Sequence, residues 1–231
     1  MKSIFYIFLL MPIVLWSQTN FEKAEKLFED GKCDLAKPYF ENYLKENPNH
    51  IKTIEYLGDI WGQSKSWDNA IFYYKKLKKL KPTEANYYYK YGGALGMKAK
   101  DSNRFVALGM IGEVRTSFEK AIILNPKHIE ARWALIEMYI HLPVIVGGSE
   151  TKATNYANEL AKLSPVDGFL SKGHIAEHFK RFSEAEKQYK KAVEIGHSKK
   201  SYQKLANLYK NKMNMPEKAK SVLEDFAKQK G

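Results

Sequence analysis

The chain has 231 residues, 44% of them hydrophobic and 28% charged, a balance that excludes a disordered or low-complexity polymer and fits a folded protein. A single cysteine, Cys33, excludes an intramolecular disulfide. The formal net charge of +12 admits nucleic acid, an anionic membrane surface or an acidic protein as partner without choosing among them. The first element is a targeting segment. Met1-Lys2-Ser3, the apolar run Ile4 to Trp16, and Ser17-Gln18 have the basic start, short hydrophobic core and small residue before a polar one of a secretory signal peptide, so residues 1–17 are expected to be removed. The run is shorter than the roughly 20 residues that span a bilayer as a helix, and no cysteine stands at the cleavage point to carry a lipid. Export to the periplasm or cell envelope of a Gram-negative bacterium is expected, which makes nucleic acid the poorest of the three partner classes.

From Thr19 or Asn20, either of which can cap a helix, the chain repeats a helical pattern. Ala24, Gly31, Ala36, Phe40 and Pro48 mark a first unit over about residues 19–50. The next unit, 51–84, is the clearest: Leu57, Gly58 and Trp61, then Ala70, Tyr74 and Leu77, then Pro82 alternate small and large apolar residues across two short helices. Gly58 and Ala70 let the two helices approach, and Trp61 and Tyr74 fill the space beside them. This pattern resembles the tetratricopeptide (TPR) repeat family, whose period is about 34 residues. The resemblance implies an all-α, right-handed α-solenoid of about six TPR-like hairpins over residues 18–231, without separate domains.

The third unit, 85–128, opens with Tyr88, Tyr91, Gly92 and Leu95 but closes only at Phe118, Ala121, Leu124 and Pro126, about ten residues late for the period. The insertion, around Lys98 to Glu113, is apolar and is expected to extend the two helices or form a cap. In the fourth unit, 129–165, Leu142 to Ser149 interrupts the helices: Pro143 stops one, Gly147 and Gly148 turn the chain, and Ser149 caps the next. This Gly-Gly-Ser lacks the strand before it and the ending of a phosphate loop. Both insertions join a first helix to a second, so they are expected on one edge, their apolar residues packed on each other or forming a second binding edge. Units 166–198 and 199–231 are regular, and Pro216 stands where a first helical turn tolerates it.

In TPR arrays the first helices line the concave surface, and ligands meet particular positions of each repeat. Carried over residue by residue, the resemblance implies a groove that includes Glu55, Asp59, Tyr89, Trp133, Glu137, His174, Glu177 and His178. Tyr89 and Trp133 are the candidate anchors for a partner's apolar side chains. Glu55, Asp59, Glu130 and Glu137 would select basic or amide-rich segments. No repeat carries the Lys/Asn combination of the TPR adaptors that grip acidic C-terminal tails, so a carboxylate clamp is not expected. The lysines of the second helices, such as Lys75, Lys79 and Lys187, place positive charge outside the groove, either as a solvated face or as a peripheral contact with an anionic envelope surface. His174-Ile175-Ala176-Glu177-His178 also matches the His-x-x-Glu-His arrangement of inverted zinc peptidases, in which two histidines bind zinc and Glu is the base. The segment is fully explained as a repeat's first helix, so His174 and His178 are weak metal candidates. Cys33 has no neighbouring histidine and reads as a packing residue. The sequence thus predicts a non-enzymatic scaffold for a protein or peptide partner, with no cofactor.

Overall fold

The computed structural model describes residues 20–228, so the expected signal peptide, Thr19 and the last three residues lie outside the described part. The described residues form twelve α-helices and no strand: α1 Asn20–Glu29, α2 Cys33–Glu46, α3 Ile51–Gln63, α4 Trp67–Leu80, α5 Ala85–Asp101, α6 Arg104–Leu124, α7 Ile129–His141, α8 Glu150–Leu163, α9 Pro165–His178, α10 Phe182–Gly196, α11 Lys199–Asn211 and α12 Pro216–Lys228. Consecutive helices pair as six antiparallel hairpins, and each hairpin packs on the next. The first helices of successive hairpins also meet, α5 with α7, α7 with α9 and α9 with α11, which places them on the inside of the curve. The result is an α-solenoid.

Local chemistry explains the helix boundaries. Asn103 accepts the backbone N–H groups of Phe105 and Val106, Ser149 that of Lys152 and Ser164 that of Asp167, each satisfying a donor with no partner inside its own helix. Between α7 and α8 the chain makes a single 3₁₀ turn, Val144–Val146, and leaves it through Gly147 at φ 101°. A side chain at Gly148 would collide with the Leu142 carbonyl oxygen at 1.8 Å, so glycine is required there.

Inside the hairpins one contact recurs. A Cβ at Gly58 would stand 2.6 Å from the Tyr74 ring, at Gly173 2.5 Å from the Tyr189 ring, and at Gly92 3.0 Å from Phe118. The glycine of the first helix is the seat of the aromatic ring of the second. Side chains around these seats form three apolar cores: Ala24, Phe40 and Leu57 near the start, Leu77, Leu135 and Leu160 in the middle, and Leu170, Tyr189 and Leu208 toward the end. Trp133 packs against both the second and the third. Stability is therefore a sum of hairpins and the seams between them.

The two insertions differ from each other. The first lengthens its hairpin, so that α5 has 17 residues against 13 in α3 and α6 has 21 against 14 in α4. The second is only the 3₁₀ turn. Their apolar residues do not bury one another: Phe105, Val144 and Ile145 are exposed. The expectation of mutual packing is corrected, because a two-residue turn after Asp101 leaves the end of a hairpin with nothing opposite it.

His128 caps α7, its Nδ1 accepting the N–H of Ala131 at 3.3 Å. Burial holds its pKa below the ordinary value, against the pull of Glu130, whose carboxylate lies 3.1 Å from the same nitrogen. A depressed histidine pKa means that the neutral ring contributes stability above the unfolded value near 6.5, and that this contribution is lost as pH falls through the folded value. Protonated Nδ1 can only donate, so it would leave Ala131 for Glu130. The thermal midpoint is therefore expected to fall between pH 7.5 and 5.5, and His128→Asn, a cap that does not titrate, to flatten that fall; an unchanged slope by calorimetry would reject the cap as its source.

Candidate functional site

The inner face is built from α3, α5, α7, α9 and α11, and its polar side chains reach across the seams between hairpins. Lys90 Nζ of α5 lies 2.7 Å from Glu55 Oε1 and 2.8 Å from both carboxylate oxygens of Asp59 on α3. Tyr87 donates to Glu55 at 3.2 Å and Tyr74 to Asp59 at 2.7 Å. Burial, followed by the charge of Asp59, drives the Tyr74 hydroxyl well above its ordinary pKa, so it stays a donor. Glu55 and Asp59 thus enter the groove already paired, each about three-quarters shielded from solvent.

The same stitching continues along the array. Trp133 Nε1 donates to Asp167 Oδ1 at 2.9 Å, and Lys200 of α11 sits over the Trp133 ring, 5.1 Å from its centroid. Glu137 Oε1 lies 2.8 Å from His174 Nε2, and its other oxygen is 3.4 Å from His141 Nδ1. Burial acts to raise the pKa of Glu137, but His174, His141 and Lys204 together carry it below the usual carboxylate value. His178 packs edge-on against His141 with centroids 4.8 Å apart. Burial, with the neighbouring His141 and His174, holds its pKa down.

Five of the eight sequence-derived site residues therefore fall into two clusters, and Glu177, Tyr89 and Trp133 stand outside them. Glu55 and Asp59 form one cluster with Lys90; Glu137, His174 and His178 form another with His141. Glu177 belongs to neither, because it accepts the Tyr189 hydroxyl at 2.8 Å beside the Gly173 seat. In the zinc-peptidase pattern Glu177 would be the base beside two metal-bound histidines; here it anchors a core tyrosine, and His174 turns to Glu137. Among the described residues, no group of three His, Cys, Asp or Glu side chains is arranged to hold a metal ion. Tyr89 stands apart, half-buried against Phe118 and His128 with centroids 6.0 and 5.1 Å away. It is a wedge between α5 and the next hairpin as much as a groove side chain. Trp133 is likewise a seam residue with one open side. Cys33 donates to Gln63 Oε1 at 3.1 Å and packs with the first core, as a small structural residue does.

Lys90 is the residue that the carried-over positions passed over, since it lies one place beyond Tyr89 in α5. The second-helix lysines are partly engaged: Lys76 donates to the Pro48 carbonyl at 2.5 Å, Lys78 lies over the Tyr91 ring at 3.5 Å and Lys190 pairs with Glu186 at 2.7 Å.

Comparison with known proteins agrees with this geometry. Residues 166–195, the fifth hairpin, match the model of the tetratricopeptide repeat, and the His174–His178 segment lies within the match. Among solved structures, a tetratricopeptide repeat protein from Parabacteroides merdae ATCC 43184 superposes with a TM-score of 0.63 at 16% identity, over 89% of this chain and 77% of that one. TTC0263, a thermophilic TPR protein of Thermus thermophilus, gives 0.61 at 19% identity, over 89% and 98%. YrrB, a TPR protein with an unusual peptide-binding site, gives 0.54 at 15% identity, over 79% and 87%. At such identities the likeness carries the fold alone. Residues 166–195 thus match the tetratricopeptide repeat by sequence, and the described residues as a whole resemble tetratricopeptide-repeat solenoids in fold.

Proposed function

We propose that this chain is a non-enzymatic scaffold, exported to the periplasm or envelope of a Gram-negative bacterium, that holds a segment of a partner protein along its inner face. The observation that carries the reading is the state of the inner-face charges. Lys90 is fixed between Glu55 and Asp59, so these groups are oriented before any partner arrives and lose little freedom on binding. Glu137 and Glu130 keep about half or more of their side-chain surface open, which suits a segment rich in basic or amide groups. The open side of Trp133 lies one helical turn from Glu137 and offers a rigid apolar contact. The peptide-binding site of YrrB, on a similar fold, supports the choice of a peptide segment as occupant.

The test is crosslinking capture from the source organism's own envelope extract, by the natural chain and by a Trp133→Leu, Glu137→Lys variant. Recovery of a partner by the natural chain, reduced about tenfold in the variant, is expected; that corresponds to about 1.4 kcal/mol. Equal recovery by both would remove the inner face as the site. Export itself predicts that the protein isolated from the envelope begins at Gln18, and a start at Met1 would contradict it.

A further inference from the structure

The least accounted-for surface of the molecule is the edge where first helices turn into second ones. Most of its hairpins end in polar residues, but the third is lengthened and carries apolar residues just after its short turn, and the fourth turn is itself apolar. The lengthened α5–α6 hairpin carries its tip beyond its neighbours by roughly 6–10 Å, from four extra residues in one helix and seven in the other at about 1.5 Å each. Phe105 sits on the tip and is 80% exposed, with Val106 and Leu108 also open beside it. The turn of the adjacent hairpin, on the same edge, presents Val144 at 84% and Ile145 at 93%. No charged residue lies between Leu142 and Ser149.

Around these tips cations exceed carboxylates, because Asp101 and Glu113 keep their charge while bonded to neutral donors and several cations remain besides. On the longer hairpin, Asp101 accepts the Trp67 indole N–H at 2.7 Å and Glu113 accepts the Tyr91 hydroxyl at 2.6 Å. Asp68 is held by Lys98, and Glu150 by Arg181. Lys100 and Arg104 flank Phe105 without an ion pair among the described residues, and Lys65 and Lys180 stand exposed in the turns on either side. The edge therefore consists of exposed apolar side chains amid a surplus of cations, with Asp101 the carboxylate among them.

We propose that this edge docks on an anionic lipid bilayer, with Phe105, Val144 and Ile145 entering the headgroup region and Lys100 and Arg104 meeting lipid phosphates. A lipid surface fits better than a folded partner for two reasons. Stable protein interfaces bury about 800 Å² on each side over a continuous patch, whereas the exposed apolar surface here is only Phe105, Val106 and Leu108 on one hairpin and Val144 and Ile145 on the next. The surplus of cations also matches the sign of an anionic leaflet, where each nearby cation contributes and salt weakens the contact. No described helix is long and apolar enough to cross a membrane, so the contact is peripheral. This orientation sets the array on its edge and leaves the inner face open to the side.

The test uses the chain from Gln18, which contains all twelve helices and their cores without the apolar leader, in cosedimentation with vesicles of phosphatidylethanolamine and phosphatidylglycerol. Vesicles of phosphatidylcholine alone serve as the neutral control. Binding to the anionic vesicles is expected, reduced at least tenfold by Phe105→Ser, Val144→Ser, Ile145→Ser and at least threefold by Lys100→Glu, Arg104→Glu. These positions are exposed, so the variants should retain the natural thermal midpoint within a few degrees. Replacing Lys75, Lys79 and Lys187 on the second helices by glutamate should change binding less than twofold. The proposal is overturned if the natural chain does not sediment with anionic vesicles, if the serine variant binds as well as the natural chain, or if only the second-helix variant loses binding. A concentration-dependent dimer that the serine variant abolishes would equally overturn it, assigning the tips to a second copy of the chain.

Discussion

Gly173→Ala is expected to lower the stability of the array by about 2 kcal/mol, the usual cost of forcing a methyl into a filled core less the modest gain of alanine in a helix. The new Cβ would lie 2.5 Å from two carbons of the Tyr189 ring. That ring is fully buried, and its hydroxyl is tied to Glu177 at 2.8 Å, so it cannot retreat without breaking the bond or opening the hairpin. Gly58→Ala should behave alike, because Tyr74 stands 2.6 Å away and is tied to Asp59 in the same manner. Gly92→Ala meets Phe118 and Ser117 at 3.0 Å, and Phe118 has no hydroxyl to anchor it, so about 1 kcal/mol is expected there. The neighbouring Gly93 has nothing within 4 Å of a new Cβ, and Gly93→Ala should stabilise by up to about 1 kcal/mol through helix propensity alone. Urea unfolding of the four variants checks the order. If Gly173→Ala were as stable as Gly93→Ala, the close seat of tyrosine on glycine would not be what fixes the hairpin geometry.

These seats also explain why the fold was legible in the sequence. A glycine in one helix and an aromatic residue 16 positions later, as in Gly58 and Tyr74 or Gly173 and Tyr189, is a local pattern, and it recurs because each hairpin solves the same packing problem. The Ser149 cap was legible for the same reason, because it acts within three residues of itself. The inner face was not. Its contacts join residues about one repeat apart, as Lys90 to Glu55 over 35 positions, Lys90 to Asp59 over 31 and Trp133 to Asp167 over 34. Reading groove positions hairpin by hairpin finds the carboxylates but not the lysine that answers them from the next hairpin. A search for opposite charges offset by one repeat would have found Lys90. The insertions were read in part: the first does lengthen its two helices, as expected, but the surroundings of their apolar residues were not legible. Their apolar composition implied burial, and only the lengths of α5 and α6 show that the tip stands clear of anything that could bury it.

Lys90→Met should separate the scaffold role of the inner face from its binding role. Methionine retains the length and most of the apolar stem, so the change chiefly removes the charge that Glu55 and Asp59 share. Those carboxylates lie one helical turn apart on α3 and would then face each other without a cation. Because the side chains are about a quarter exposed, water relieves part of the repulsion, and a loss of about 2 kcal/mol is expected rather than the 3–5 kcal/mol of a fully buried pair. Adding Glu55→Gln and Asp59→Asn to Lys90→Met should restore most of that loss, since no charge would remain to be answered. Binding should move the opposite way. With Lys90 absent, a lysine or arginine of a bound segment can take its place between the two carboxylates, so a basic peptide that occupies the groove is expected to bind about tenfold more tightly to Lys90→Met, and no more tightly than to the natural chain in the triple variant. A variant less stable yet tighter in binding cannot result from general loosening of the fold. Weaker binding by Lys90→Met would instead assign Lys90 itself to contact with the partner and reverse the charge expected of that partner's segment.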